Sequence, residues 1–143
     1  MDGNRQQELI NILLREQCSC VIYNTGEYHR FYGRGVSDLY RILTTQPQLL
    51  KGAFVADKVV GKGAAALMIL GGVKMLYANL LSVPAREMLE KYGVAVSVGT
   101  EVPHIINRAG TDICPVESLC LECSTPQECL PKIRGFINSI MPE

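Results

Sequence analysis

The sequence predicts an α/β protein with a mixed sheet of about five strands between two helical layers, a three-layer α/β/α sandwich. A hairpin pattern near the N-terminus is followed by alternating strand and helix patterns, and a helix near the middle is apolar on every side. Right-handed β-α-β units give parallel strands with helices on the faces of the sheet. The length of 143 residues suits one domain, 1–143, with a Cys-containing helical segment, 112–141, packed on it.

The first third of the chain predicts a helix, a hairpin and a second helix. Residues 4–16 carry apolar side chains at helical spacing. Two β-rich runs, 18–24 and 27–32, flank a short turn that contains Gly26. Ser37 is predicted as the N-cap of a helix that ends before Pro47.

The middle of the chain predicts a buried strand over 53–55, a polar turn with Asp57 and Lys58, and a buried helix over 64–70. Gly71-Gly72 should end that helix. A strand over 73–81 follows, then a helix capped by Ser82 and a strand over 94–98.

The C-terminal part predicts a loop over 101–111 and two helices. Pro115 opens a short helix, and the last helix begins near Thr125, where Thr125 and Glu128 form a possible capping box. Pro131 is expected to kink or delay that helix.

Composition excludes several classes of function. Fourteen basic and fourteen acidic residues give zero net charge, so we expect no nucleic-acid partner and no membrane patch. No apolar run is long enough to span a bilayer, and residues 1–17 lack a signal-peptide core, which predicts a cytoplasmic protein. The six cysteines should then be reduced or metal-bound. A homo-oligomer is possible, since the strands are apolar.

The segment from Gly61 to Ala66 matches the pattern G-x-G-x-x-A after a strand. Gly61 and Gly63 would let backbone N–H groups approach a phosphate at the helix N-terminus, and Lys62 would add a positive charge. The alternative is that Gly63 and the alanines only allow close helix packing.

Ser82 stands at a second helix N-terminus that follows a neighbouring strand. Helices after adjacent parallel strands can begin at the same sheet edge, so Ser82, Lys62 and two sets of backbone amides would converge on one anion. The alternative is that Ser82 is only an N-cap.

The long polar loop before Pro115 contains Asn107, Arg108, Thr111 and Cys114. Loops of this kind often cover binding sites. Cys114 directly precedes a helix N-terminus, which would favour a reactive thiol if it is partly exposed. An equally good interpretation is a structural loop.

Four cysteines, Cys114, Cys120, Cys123 and Cys129, lie within sixteen residues and could hold zinc or an iron–sulfur cluster. Their spacing, C-x5-C-x2-C-x5-C, matches no common structural zinc pattern. Free thiols are therefore the preferred interpretation, and no metal is the expected state.

Three segments together resemble an uncharacterised domain-of-unknown-function family with a cytidine-deaminase-like fold. They are the turn D-K-x-x-G-K-x-A-A-A, the helix start S-x-P-A and the loop N-R-x-G-T-x-x-C-P-x-E. The resemblance covers roughly residues 8–138 and implies a deaminase-type three-layer sandwich. Zinc deaminases begin their two core helices with H-x-E or C-x-E and with P-C-x-x-C.

Here Gly61 to Ala64 contain neither His nor Glu, and Ala85 and Met88 replace the two cysteines. Zinc-dependent deamination is therefore not expected. The resemblance implies that the pocket remains without its metal, and we expect it to bind a small phosphate-bearing molecule such as a nucleotide or nucleotide-sugar, with no cofactor. The expected ligand-binding residues are Lys58, Gly61, Lys62, Gly63, Ser82, Asn107, Arg108 and Thr111.

Two other functions stay open. The first is an enzyme of non-deaminase chemistry in the same pocket, with Asp57 or Cys114 as the nucleophile and Lys62 as the electrostatic stabiliser. The second is a metal or redox module built on the four C-terminal cysteines.

Overall fold

The computed structural model describes residues 2–33, 36–107 and 109–140. Within them the elements follow the order α1 (Asp2–Arg15), β1 (Cys20–Asn24), β2 (Glu27–Phe31), α2 (Ser37–Thr45), a 3₁₀ turn (Pro47–Leu49), β3 (Phe54–Val60), α3 (Lys62–Gly71), β4 (Met75–Ser82), α4 (Val83–Lys91), β5 (Ala95–Val102), α5 (Pro115–Cys120) and α6 (Pro126–Ile140).

The five strands form one mixed sheet in the order β2-β1-β3-β4-β5. The hairpin strand β1 pairs antiparallel with both β2 and β3, and β3, β4 and β5 run parallel. The prediction of an α/β protein with a mixed sheet of about five strands is therefore confirmed. Asp57 lies between Cys20 on β1 and Ala78 on β4, near the middle of this sheet.

Helices cover both faces of the sheet. On one face, Leu9 and Leu13 of α1 are fully buried against Val21 and Ala56. On the other face, α3 is central and contacts α2, α4, α5 and α6. Because other helices surround α3, the apolar residues on all its sides are buried, as the sequence predicts.

The N-termini of α3 and α4 follow the parallel strands β3 and β4 directly, so both helices begin at the same edge of the sheet. At its other end α3 stops at Gly72, whose φ of 86° lies in the left-handed region that glycine adopts without steric cost. The helices α3 and α4, whose N-termini form the predicted site, are thus fixed in position by the core.

Three local predictions are wrong. Asp57 and Lys58 lie inside β3, because that strand continues to Val60 through pairing with β4. Ser37 is the first helical residue of α2, and Val36 takes the N-cap position without a side-chain cap. Pro131 lies inside α6, which already begins at Pro126, so the expected delay of the helix is absent.

No helix in the described ranges is both long enough and apolar enough to cross a membrane.

Candidate functional site

A cavity of about 550 Å³, which we call the main cavity, opens beside the ends of β1 and β3. Its base is formed by polar side chains of the sheet and α5, and its walls are largely apolar. The lining residues are Gln17, Ser19, Cys20, Tyr32, Gly33, Val36, Asp38, Leu39, Asp57, Lys58, Val59, Gly61, Gly63, Ala64, Ile105, Ile106, Cys114, Val116 and Glu117. The volume lies in the range of small-molecule sites.

Asp57 is the buried acid at the centre of β3. Its side chain is held by the backbone N–H of Val59, which donates to Oδ1 at 3.2 Å. Burial raises the pKa of Asp57 to about 7, and the hydrogen bonds from Val59 and Cys20 only partly oppose this effect. Near neutral pH the carboxyl group can therefore both donate and accept a hydrogen bond.

Cys20 lies opposite Asp57 on the neighbouring strand β1 and lines the same cavity. Burial raises the pKa of the Cys20 thiol well above its ordinary value, and the nearby negative charge of Asp57 adds to the effect. Cys20 is thus a neutral thiol, and it is not an activated nucleophile.

Glu117 of α5 closes the other side of the cavity base and is 1% exposed. Its Oε1 accepts hydrogen bonds from the backbone N–H of Lys62 at 2.6 Å and from the hydroxyl of Ser82 at 3.2 Å. Its Oε2 accepts the backbone N–H of Ile105 at 2.8 Å. A single carboxylate therefore contacts the starts of both α3 and α4.

Gly61 and Gly63 make room for α5. A Cβ at Gly61 would lie 3.0 Å from Oε1 of Glu117 and 3.2 Å from Ile105. A Cβ at Gly63 would overlap the side chain of Val116. The G-x-G pattern therefore admits Glu117 and Val116 to the beginning of α3, and both glycines also line the main cavity.

Lys62 does not line the main cavity. Its Nζ donates to the carbonyl oxygens of Leu121 at 2.9 Å and Cys123 at 2.7 Å, which follow the end of α5. Lys62 is 9% exposed as a residue, and its ammonium group supplies hydrogen bonds to carbonyls at a helix C-terminus. The structure thus separates Lys62 from Asp57 and Lys58.

Ser82 is fully buried and caps α4, as predicted, because its Oγ accepts the backbone N–H of Ala85 at 3.2 Å. The same hydroxyl donates to Glu117. The predicted convergence of Ser82 with the two helix N-termini is present, and an internal carboxylate occupies the point where they meet.

The loop before α5 contributes one predicted residue to the main cavity, Cys114, which is half-buried. Asn107 and Thr111 instead form a hydrogen bond within the loop, in which the Thr111 N–H donates to Oδ1 of Asn107 at 3.0 Å. Thr111 is exposed and neither residue lines the cavity. Arg108 lies outside the described residues.

Among the described residues, the charged side chains that line the main cavity are three acids, Asp38, Asp57 and Glu117, and one lysine, Lys58. Asp38 is partly neutralised by Arg41, whose Nη1 lies 2.9 Å from Oδ1. The rim carries the exposed apolar side chains Tyr32, Val59 and Ile106.

The structure does not bring the four C-terminal cysteines together in one place. Cys114 faces the main cavity, whereas Cys120, Cys123 and Cys129 are buried with α3, α5 and α6. In the described part of the chain, no group of three or more His, Cys, Asp or Glu side chains is arranged to hold a metal ion. All six thiols are free.

Sequence reasoning missed Cys20, Asp38 and Glu117 as cavity residues. Glu117 had a usable signal, because it follows Pro115 in the first turn of a short helix and is part of the loop pattern C-P-x-E. Cys20 and Asp38 carried none, since their positions depend on β1 pairing with β3 and on the packing of α2.

Comparison with known proteins gives a family and a fold. A family model described as TM1506, a domain of unknown function (DUF1893), matches residues 8–137. The crystal structure of a DUF1893 family protein (TM1506) from Thermotoga maritima is similar, with a TM-score of 0.87 and 24% sequence identity over 95% of this chain and 92% of that chain. No curated protein matches significantly.

Proposed function

We propose that the main cavity binds a small molecule of nucleoside or nucleotide size. The chain belongs to the DUF1893 (TM1506) family, a family of unknown function. The observation that carries this proposal is the buried carboxyl of Asp57 at the base of the main cavity, where its Oδ1 accepts the Val59 N–H. A carboxyl group can take part in further hydrogen bonds, and a ligand in the cavity can supply them.

A heterocyclic base suits this cavity. Its edge offers donors and acceptors side by side, and Asp57, with a pKa of about 7, can serve either role near neutral pH. The apolar wall, which includes Val36 and Leu39, suits the faces of a ring. Tyr32 at the rim offers an aromatic ring for stacking.

The phosphate of such a ligand belongs at the rim beside Lys58. The position between the two helix N-termini, where the sequence predicts an anion, is occupied by the carboxylate of Glu117. A second anion there would be repelled at short range. Within the ranges that the structure describes, Lys58 is the basic residue that lines the main cavity.

The proposed architecture remains a deaminase-like three-layer sandwich that has lost deamination chemistry. Helices on both faces of the mixed sheet support it. At the helix starts where zinc deaminases keep their metal ligands, this chain has glycine, alanine and Met88. Glu117 sits between these helix starts as a hydrogen-bond acceptor for backbone and hydroxyl groups.

A second candidate function is general acid–base catalysis by Asp57 on the same ligand. The observation that favours it is its pKa of about 7, because a proton donor or acceptor works best when its pKa is near the working pH. Cys114, half-buried in the cavity wall, is the thiol placed to attack a bound electrophile.

Thermal-shift measurements with nucleosides and nucleoside monophosphates test the binding proposal. We expect the midpoint temperature to rise with ligand concentration, and Asp57→Asn to weaken the shift for both ligand sets. Lys58→Ala should weaken the shift for the monophosphates only. Asp112→Asn and Lys51→Ala, at exposed positions outside the cavity, are the matched controls. No shift with any of these ligands would contradict the proposal.

A further inference from the structure

A second carboxylate of the main cavity, that of Asp38, lies in the first turn of α2. Its Oδ2 accepts the backbone N–H of Gly33 at 2.9 Å, and its Oδ1 accepts Nη1 of Arg41 at 2.9 Å. The Asp38 side chain is 16% exposed. Within the described ranges each oxygen has one partner, and a carboxylate oxygen has about two acceptor sites. One acceptor site on each oxygen is therefore free for a ligand.

Gly33 fixes the Asp38 carboxylate at the wall of the main cavity. A Cβ at Gly33 would overlap that carboxylate, so the absence of a side chain is what allows the short contact between the two residues. Gly33 itself also lines the cavity. Because Gly33 and Arg41 hold the carboxylate from two directions, its orientation is set before a ligand enters.

The register of the sheet sets the separation of Asp38 from Asp57. Cys20 of β1 pairs with Phe31 of β2 on one side and with Asp57 of β3 on the other. Neighbouring strands lie about 4.8 Å apart, so Phe31 and Asp57 are about 10 Å apart across the sheet. Gly33, which holds the Asp38 carboxylate, closely follows Phe31 in the chain. A ligand that contacts both carboxyl groups must therefore be elongated, as a base joined to a sugar is.

Gln17 adds a neutral amide to the same side of the main cavity. It lines the cavity, and its φ of 55° lies in the left-handed region that glycine adopts more easily. The Ser19 N–H donates to the carbonyl of Phe31, so the chain just before β1 runs beside the chain just after β2. A strained residue beside a cavity is a candidate for a functional role, because glycine would fit the same backbone without strain.

We propose that Asp38 and Gln17 bind the sugar of the ligand and select a vicinal diol, so that the main cavity prefers ribonucleosides to 2′-deoxyribonucleosides. This inference rests on the proposed binding of nucleosides. A carboxylate accepts hydrogen bonds and offers no donor, so two adjacent hydroxyl groups suit the two free acceptor sites of Asp38. Carboxylates also hold ribose hydroxyls in dinucleotide-binding proteins. The same negative charge repels a phosphate, which stays beside Lys58.

Isothermal titration calorimetry of the full chain with adenosine, guanosine, cytidine and uridine, and with their 2′-deoxy counterparts, tests this proposal. We expect the dissociation constant to be about tenfold to a hundredfold higher for the 2′-deoxynucleoside of a pair, because a hydrogen bond to a charged acceptor is lost. Asp38→Asn should remove most of this preference. Asp112→Asn, at an exposed position outside the cavity, is the matched control and should keep it.

Gln17→Gly is a second variant, and it is expected to fold at least as well as the wild type. Glycine accepts the left-handed backbone, so the midpoint temperature of the ligand-free protein should rise. The dissociation constants for ribonucleosides should rise about twofold to tenfold, because one neutral hydrogen bond is lost, and those for 2′-deoxynucleosides should rise less. Thr25→Gly, at a φ of 48° in the hairpin turn outside the cavity, is the matched control and should stabilise the protein without changing binding.

The wild type alone separates failure of this inference from failure of the proposed function. Equal dissociation constants for ribonucleosides and 2′-deoxynucleosides would overturn the inference and leave nucleoside binding intact. Absence of binding by both series would refute nucleoside binding, and the inference with it. An undiminished preference for ribonucleosides in Asp38→Asn, or in Gln17→Gly if Asp38→Asn does not fold, would assign the selection to other residues and so contradict the proposal.

Discussion

The carboxylate of Glu117 accepts the backbone N–H of Lys62 at 2.6 Å, so the first turn of α3 binds an anion that belongs to the protein itself. The positive end of the helix dipole and the unpaired amides of the first turn make such a position favourable for negative charge. Glu117 also accepts the hydroxyl of Ser82 at the start of α4. The sequence pattern typical of a phosphate turn is here used to dock α5 on the core.

Glu117→Gln should destabilise the protein. The carboxylate accepts three hydrogen bonds, and a glutamine amide group would place an N–H donor opposite Ile105 N–H or opposite Lys62 N–H. We expect a loss of about 1–3 kcal/mol in the free energy of unfolding, measured by urea denaturation. The control is Glu122→Gln, an exposed residue in the next turn, which should change stability by less than about 0.5 kcal/mol. Equal stability of the two variants would show that Glu117 is dispensable.

Gly63→Ala should also destabilise the protein, although alanine normally favours a helix. The new Cβ would overlap Val116 and push α5 away from α3. Overpacking of this kind costs about 1–3 kcal/mol. The matched control is Gly135→Ala in α6, where a Cβ meets no atom within 4 Å, and there we expect a gain of up to about 1 kcal/mol. Opposite signs in the two urea titrations are the expected result, and stabilisation by both changes would contradict the close approach of α5.

The predictable part of this fold is the part that local patterns determine. The buried helix α3 follows from a run that is apolar on all sides, and the Ser82 cap follows from a hydroxyl before Pro84. The convergence of two helix N-termini follows from the β-α-β order, because parallel strands end at one edge of the sheet. All three could therefore be obtained from the sequence.

The hydrogen-bond partners of the polar residues in the site could not be predicted from local sequence patterns. Glu117 is 55 positions from Lys62, and the local pattern C-P-x-E that contains it does not identify its hydrogen-bond partners. Lys62 follows a glycine at a helix start, as a phosphate-binding lysine would, yet its Nζ binds carbonyls beyond α5. Tertiary packing alone decides which partner a polar side chain at a helix terminus takes.

The Lys62→Met variant distinguishes a phosphate-binding role of Lys62 from a structural role as donor to the carbonyls beyond α5. Methionine keeps much of the length and removes the ammonium group, so the carbonyls of Leu121 and Cys123 lose their donor. We expect a loss of about 1–3 kcal/mol in stability and faster amide hydrogen exchange in the turn at 121–124. Ligand-induced thermal shifts at saturating ligand should persist in this variant, in contrast to the weakened response of Lys58→Ala. Loss of ligand binding without loss of stability would show that Lys62 contacts the ligand and has no structural role.

Asp57 should make stability depend on pH in a defined direction. An unfolded aspartate has a pKa of about 3.9, whereas in the folded protein the pKa of Asp57 is raised to about 7. Between these values the folded state binds more protons than the unfolded state, so this group lowers stability as the pH rises. The slope is at most about 1.4 kcal/mol per pH unit, and the loss is complete once the pH exceeds the folded pKa.

Asp57→Asn removes this titration, and urea denaturation from about pH 5 to about pH 8 measures the result. Relative to the wild type, the variant should gain stability from about pH 5 to about pH 7 and level off above the folded pKa of Asp57, because asparagine carries no charge to bury at high pH. Asp112→Asn, at an exposed position outside the main cavity, should give a curve parallel to that of the wild type. If the Asp57→Asn curve is parallel as well, the carboxyl of Asp57 ionises at an ordinary pKa. The buried proton donor on which the proposed function rests would then be absent.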